Sequence, residues 1–363
     1  MSSHDTRPDE AVAPSGGRSH ANLLVRGAVS VVIVVGIFVG VLPRIADYSD
    51  VWATITAMTW LETTSLLVIA IWNVVTYWFV MVAAMPGLGY RQAAVVNQAS
   101  TAISNTLPGG GAIGVAVTYS MYTSWGFSRG QITRSVLVSG VWNTFMKLGL
   151  PLVALALLAI AGDVSPALVV ASILGVGVLV AVIVAFSLIL RSDALARRVG
   201  GLLGRIVSRV LALVRRPQRT GWGEAAATFR TDTVDLLRSH WFGLTFASLV
   251  SHLSLFVVLL TGLRHVGIAE EDLSWITVLA AYAFVRLISA LPITPGGVGV
   301  VELGYVAALT VGFDDAQSAK VVAAVLVFRF LTYFLPIPAG VGAYGFWRAN
   351  RSWRKPVRDS VET

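Results

Sequence analysis

The stretch ITPGGVGVVELGY (Ile293–Tyr305) interrupts a strongly apolar part of the chain with Pro-Gly-Gly and then places a carboxylate at Glu302. Proline ends the helix that precedes it, and glycine reaches backbone conformations that other residues avoid. A similar stretch, NTLPGGGAIGVAVTY (Asn105–Tyr119), occurs earlier in the chain. Each stretch therefore predicts a break within a helical region.

The composition is that of a polytopic membrane protein. Of the 363 residues, 56% are hydrophobic and only 13% are charged, whereas soluble domains carry about 25% charged residues. A helix needs about 20 apolar residues to cross a bilayer. We expect six full crossings, the first of them a spanning helix rather than a signal peptide: Leu24–Leu42, Thr64–Met85, Ser135–Ile160, Pro166–Leu190, Trp241–Gly262 and Ala319–Ala343.

Two further apolar regions, Arg91–Tyr122 and Trp275–Val311, are broken mid-way by the Pro-Gly-Gly segments. Each half is too short to span, so we interpret both regions as re-entrant hairpins or broken helices, which must be buried in protein or line a cavity. Downstream, Trp125–Gln131 matches Val311–Gln317. The predicted fold is an all-α bundle with two re-entrant hairpins in an inverted-topology repeat, typical of transporters. The alternative is a pair of ordinary glycine-rich packing helices.

The distribution of charge predicts the orientation. Arginines crowd the segment 191–240 and the tail after Phe346, which places both on the cytoplasmic side. Acidic residues flank the second hairpin, which then opens from outside. The expected organisation is a disordered cytoplasmic tail (1–22), a first membrane half (23–190), a basic cytoplasmic loop (191–240), a second membrane half (241–346) and a basic cytoplasmic tail (347–363). Within the loop, Leu195–Val214 and Trp222–Leu237 are candidate interfacial helices.

Charged side chains inside apolar runs are the main candidates for a site, because ionisable groups are costly in the membrane. A helix beginning after Pro-Gly-Gly would also present N–H groups that attract an anion such as a lipid phosphate. Glu302 is expected either to pair with Arg286 or to bind a cationic headgroup; a structural ion pair or snorkelling is the alternative. Lys147 is a weaker candidate. The predicted substrate-binding residues are Pro108, Gly109, Gly110, Arg286, Pro295, Gly296, Gly297, Gly299, Glu302 and Arg329.

Three other features have two interpretations each. Asn97, Thr101 and Asn105 form one polar stripe, which lines a path or hydrogen-bonds neighbouring helices. His252 is a proton relay or, more often for such a residue, an interhelical histidine with satisfied hydrogen bonds. The acidic loop 268–273 holds a weak cation or is simply solvated.

The sequence lacks the signatures of an enzyme. It has no cysteine, no ATP-binding loop, no His-Glu-x-x-His and no Gly-x-Ser-x-Gly. We therefore expect no catalytic residues, no metal and no cofactor. The net charge of +8 is attributed to cytoplasmic loops rather than to a nucleic-acid partner.

The segment PGGVGVVE (Pro295–Glu302), preceded by apolar sequence with Arg286, resembles the lysylphosphatidylglycerol synthase transmembrane region, or flippase-like domain, family. The resemblance extends from about Leu24 to Phe346. It implies a domain that flips aminoacylated phosphatidylglycerol between leaflets, as in the multiple-peptide-resistance factors, and a role for Pro295, Gly296, Gly297, Gly299 and Glu302. No synthase domain is expected after the last helix. At the first motif the chain has Gly114, Val115 and Thr118, where many relatives have an acidic and then a basic residue.

The sequence thus predicts a flippase or translocator in the cell membrane, with both termini cytoplasmic and a phospholipid as partner. The cargo is an anionic or aminoacylated phospholipid headgroup. Two alternatives stay open: a carrier of polyprenyl phosphate or a small anion, and a non-catalytic membrane subunit that partners a cell-envelope glycosyltransferase.

Overall fold

The computed structural model describes residues 39–40, 47–107, 110–162, 166–213, 221–289 and 294–353. Every regular element within these ranges is helical. Numbered from Tyr48 onward, the α-helices are α1 Tyr48–Ala57, α2 Trp60–Ala84, α3 Tyr90–Thr106, α4 Gly110–Ser124, α5 Arg129–Ala161, α6 Pro166–Arg191, α7 Asp193–Leu213, α8 Trp222–His265, α9 Trp275–Ile288, α10 Val300–Leu309, α11 Asp315–Arg329 and α12 Pro336–Ala349. A 3₁₀ turn, Pro295–Gly297, precedes α10, and a π turn, Phe330–Phe334, joins α11 to α12.

Five of the six predicted crossings coincide with helical spans long and apolar enough to cross a membrane. These spans are Trp60–Ala84, Arg129–Ala161, Ile173–Arg191, Trp222–His265 and Asp315–Ala349. The first predicted crossing and the tail 1–22 lie outside the described residues, apart from Val39 and Gly40. The span in α6 has no buried residue in its most apolar part, which suits a helix whose neighbours are lipids.

Both Pro-Gly-Gly regions are broken helices, as the sequence predicts. The first consists of α3, which ends at Thr106, and α4, which begins at Gly110; the second consists of α9, the 3₁₀ turn and α10. At 1.5 Å per residue, α9 and α10 are about 21 and 15 Å long, so neither crosses a hydrocarbon core of about 30 Å alone.

The helix following each broken region begins in the same way. Gly126 and Gly312 have φ of 86° and 83°, a left-handed conformation that favours glycine. Two residues after each glycine comes the N-cap of the next helix. At α5 the side chain of Ser128 accepts a hydrogen bond from the N–H of Gln131, and at α11 the side chain of Asp314 accepts one from the N–H of Gln317. The matched sequences therefore have matched local structures.

The second candidate interfacial helix is not separate from the crossing that follows it. Trp222–Leu237, a candidate for a separate interfacial helix, is the first part of α8, which continues without interruption to His265. The chain has no proline between these residues, and a single glycine in a helix costs only about 1 kcal/mol. The start of α8 packs on α7, where Arg230 pairs with Asp193 at 2.8 Å.

The largest buried core surrounds α11. It joins α8, α9, α10 and α11 and includes Tyr282, Tyr305 and the run Val321–Val325. A second core joins α3 and α4 to Trp347 of α12. The 3₁₀ turn before α10 contacts α3. The second broken region therefore packs against the first.

Candidate functional site

The second Pro-Gly-Gly segment is a tight turn that only glycine fits. Gly296, Gly297 and Gly299 have φ of 58°, 71° and 83°, which side chains other than that of glycine rarely tolerate. A β-carbon on Gly296 would lie 2.0 Å from the ring of Tyr333. The glycines thus allow the turn to pack directly on the π turn.

Glu302 and Arg329 form a buried ion pair below this turn. The Glu302 Oε1 atom accepts a hydrogen bond from Arg329 Nε at 2.7 Å, and the residues are 1% and 8% exposed. Glu302 Oε2 accepts a second bond from the N–H of Gly299 at 2.7 Å. Arg329 also donates to the carbonyl of Gly296 at 3.1 Å. One carboxylate therefore caps α10 and neutralises the arginine.

This arrangement differs from two expectations. Glu302 pairs with Arg329 rather than with Arg286, because α11 packs beside α10 and brings Arg329 to the start of that helix. The N-terminus of α10, expected to face a ligand anion, already has the carboxylate of Glu302 on the N–H of Gly299. A carboxylate at a helix N-terminus is stabilised by the helix dipole.

The two breaks are linked through Tyr333. Its hydroxyl donates to the carbonyl of Asn105 at 2.5 Å, and the Asn105 side chain donates back to the carbonyl of Tyr333 at 3.1 Å. Asn105 lies one turn before the first break, and the Tyr333 ring lies 4.5 Å from the Arg329 guanidinium. Two hydrogen bonds therefore join the end of α3 to the π turn that packs on the second break.

At the first break, Pro108 and Gly109 lie outside the described residues. Gly110 begins α4, and its N–H donates to the carbonyl of Leu107 at 2.8 Å. A β-carbon there would lie 2.5 Å from the carbonyl oxygen of Ser104. Gly110 thus has a packing role: it lets α4 fold back against α3.

A polar cavity of about 420 Å³ lies between α2, α3, α5, α8, α9 and the π turn. Most of its lining side chains are neutral and carry a hydroxyl or a carboxamide. Asn97, Thr101 and Asn105 all line it, so the polar stripe of α3 faces this cavity. Polar side chains that face a cavity inside a membrane bundle are functional candidates, because they are costly to place against lipid.

Arg286 is the one guanidinium in the lining of the polar cavity. Among the described residues no carboxylate forms an ion pair with it, and its Nε has no hydrogen-bond partner. Arg286 therefore gives this lining one permanent charge, which is positive.

His252 combines features of both interpretations. Its Nδ1 lies 2.9 Å from the carbonyl of Ser248, one turn earlier, and the ring is 6% exposed. Its Nε2 has no partner among the described residues, although the residue lines the polar cavity. The histidine is therefore only half satisfied.

A second space, the hydroxyl cavity, adjoins the polar cavity. It measures about 220 Å³ and lies between α3, α4 and α5, with Gly111, Gly114 and Thr118 on the α4 side. Five residues line both spaces: Tyr77, Asn97, Ser100, Ser104 and Asn143. The two cavities thus adjoin along a shared polar wall, and together they are called the polar path; none of their lining residues is acidic.

On its other side the polar cavity adjoins an apolar groove of about 210 Å³. The groove runs between α2, the π turn and α12, and it is lined by side chains such as Ile71, Leu331 and Ala339. Val74, Gln98 and Pro336 line both the groove and the polar cavity. An amphipathic molecule can therefore contact both surfaces at once.

Several cavity residues were missed in the sequence. Asn73 and Asn143 are carboxamides in the middle of the apolar helices α2 and α5, and both line the polar cavity. A polar side chain in the middle of a spanning helix is the signal that identifies such residues. The missed Tyr333 carries no such signal, because aromatic residues are common in membrane helices.

The acidic loop 268–273 is held in place by Arg264. Arg264 donates to the carbonyls of Ile268, Ala269 and Leu273 and pairs with Glu270. Within the described residues, no group of three His, Cys, Asp or Glu side chains could hold a metal ion. Arg264 therefore supplies the positive charge that pairs with an acidic side chain of this loop.

Comparison with known proteins agrees with the sequence resemblance. The family model described as the lysylphosphatidylglycerol synthase TM region matches residues 27–340. No curated protein matches the chain significantly.

Proposed function

The chain belongs to the lysylphosphatidylglycerol synthase transmembrane region family, and from that premise we propose that it is a flippase-like translocator of an anionic phospholipid headgroup. The observation that carries this proposal is Arg286, a cation without a carboxylate partner among the described residues, in a polar cavity that adjoins an apolar groove. Charge-assisted hydrogen bonds to a phosphate would compensate its charge.

The apolar groove favours a lipid over a small soluble anion. A phospholipid whose headgroup lies at Arg286 can leave an acyl chain between α2 and α12, in contact with residues such as Ile71 and Ala339. Burial of apolar surface contributes about 25 cal/mol per Å², and a free phosphate gains nothing there. The polar path would then carry only the headgroup.

We also infer that the two halves form an inverted-topology repeat with two re-entrant hairpins, in a cell membrane with both termini cytoplasmic. The matched left-handed glycines and N-caps at Gly126–Ser128 and Gly312–Asp314 support the repeat. Because the chain has no cysteine, single cysteines can report the orientation. We expect an impermeant maleimide to label Glu271→Cys in intact cells and Glu224→Cys only after permeabilisation.

Flipping of fluorescent phosphatidylglycerol in proteoliposomes tests the proposal. Arg286→Gln should lower the rate by about tenfold or more, since hydrogen bonds to a charged group contribute about 1.5–3 kcal/mol. Arg238→Gln is the matched control, because Arg238 is exposed and outside the cavity. Folded wild-type protein that flips no lipid would contradict the proposal and favour the membrane-subunit alternative. Uptake of soluble phosphate without flipping would favour the carrier.

A further inference from the structure

We propose that the joined polar and hydroxyl cavities select a headgroup made of a polyol attached to a single phosphate, such as a sugar or inositol phosphodiester, and reject aminoacylated headgroups. This inference rests on the proposed function and adds the chemical class of the cargo. It follows from which polar groups the cavities offer and which they lack.

The first step concerns charge. Arg286 is the one guanidinium among the residues that line the two cavities, and none of them is acidic. One phosphodiester carries one negative charge and would match one guanidinium. A lysyl or alanyl group would bring an ammonium that needs a carboxylate or carbonyl cage, and burying it near Arg286 would add repulsion.

The second step concerns the free carboxamides. Asn97 and Asn143 line both cavities, and no hydrogen bond is formed by either side chain within the part of the chain that the structure describes. Asn73 and Asn105, by contrast, are bonded to Ser251 and Tyr333. A carboxamide offers two donors and an acceptor, and both of these carboxamides line the cavities with those groups unused by the described protein. A row of ligand hydroxyls satisfies both groups.

The third step concerns the shape of the path. Beyond Asn97 and Asn143 the hydroxyl cavity continues along Gly111, Gly114 and Thr118, with Ser135 and Ser139 opposite. Small residues and hydroxyls there leave room for a ring that donates and accepts at several positions. The aromatic ring of Tyr77, which is 37% exposed, also lines this cavity, and it offers apolar surface for the C–H face of such a ring.

Direct binding tests the selectivity separately from transport. The purified protein would be titrated by microscale thermophoresis with phosphatidylinositol, phosphatidylglycerol and lysyl-phosphatidylglycerol in mixed micelles, and with soluble inositol phosphate. We expect phosphatidylinositol to bind best and lysyl-phosphatidylglycerol at least about tenfold more weakly, which corresponds to one or two hydrogen bonds and a charge mismatch.

Variants assign the preference to residues. Asn97→Leu and Asn143→Leu should each reduce the preference for phosphatidylinositol over phosphatidylglycerol about three- to tenfold, whereas Arg286→Gln should weaken both lipids alike. Asn350→Leu, at the end of α12 and away from both cavities, is the matched control. Equal binding of the aminoacylated lipid, or an unchanged preference in both Asn97→Leu and Asn143→Leu, would overturn the inference.

The two proposals fail in different ways. Selective binding without flipping would refute the translocator and leave the selectivity standing, whereas flipping of lysyl-phosphatidylglycerol at the rate of phosphatidylinositol would refute the selectivity alone. If soluble inositol phosphate binds as tightly as the lipid, the polyol phosphate chemistry is supported and the source is a soluble solute.

Discussion

Replacing Glu302 by leucine tests whether the ion pair below the second break holds the fold. The carboxylate is 1% exposed and accepts bonds from Arg329 Nε and from the Gly299 N–H, both at 2.7 Å. Removing one partner of a buried pair costs about 3–5 kcal/mol, because the remaining charge is uncompensated. An unbonded buried N–H adds about 1–3 kcal/mol.

Glu302→Gln separates these two contributions. Glutamine keeps an acceptor for the N–H of Gly299 but carries no charge, so it should be more stable than Glu302→Leu by about 1–3 kcal/mol. The double variant Glu302→Leu/Arg329→Met should recover much of the loss, since apolar replacements of buried pairs are often neutral or stabilising.

Thermal unfolding followed by the fluorescence of the 11 tryptophans measures this series in lipid nanodiscs. Glu224→Gln is the exposed control: its side chain is 76% exposed in its pair with Arg197, and such surface pairs contribute about 0–1 kcal/mol. A double variant as unstable as the two single losses added together would refute the reasoning, because the charges would then not compensate each other.

Two further predictions concern backbone geometry. Gly296→Ala should lower the unfolding midpoint, because the position has φ of 58° and a β-carbon would meet the Tyr333 ring. Gly111→Ala is the control: the residue lies in α4 with open space around it, so the midpoint should stay unchanged or rise through the better helix propensity of alanine. Equal effects of the two substitutions on the midpoint would contradict this account. Arg264→Ala should speed hydrogen exchange in residues 266–273, because it removes the donor to three loop carbonyls. Glu271 is an exposed residue of the same loop, and Glu271→Ala should leave the exchange unchanged. Unchanged exchange in Arg264→Ala would show that the loop is held by other contacts.

The broken helices could be predicted because their cause is local. Proline removes a backbone donor wherever it stands, and a glycine run permits the left-handed turn seen at Gly296–Gly299. Arg286, Glu302 and Arg329 could also be identified from local sequence, since each is a charged residue within an apolar run. The sequence did not identify the partners of these side chains.

The choice of partner for Glu302 depends on how neighbouring helices pack. From the sequence, Arg286 and Arg329 are both available, and they lie on different helices. In the structure α11 brings Arg329 to the start of α10, and Arg286 lines the cavity on the other side of α9. Nothing in the local sequence distinguishes the two arginines. Whether an arginine reaches a glutamate on another helix depends on how each helix is rotated about its axis.

By itself the sequence determined the membrane class, the spanning helices from Trp60 onward, the two breaks and the family, because hydrophobic length and Pro-Gly chemistry act through neighbouring residues. Only the tertiary structure decided which side chains form the cavities. Asn73, Asn97, Asn143 and Arg286 come from four helices, and no local sequence pattern links residues of different helices. They form one binding surface only because the packing of apolar faces turns all four toward the same interior space.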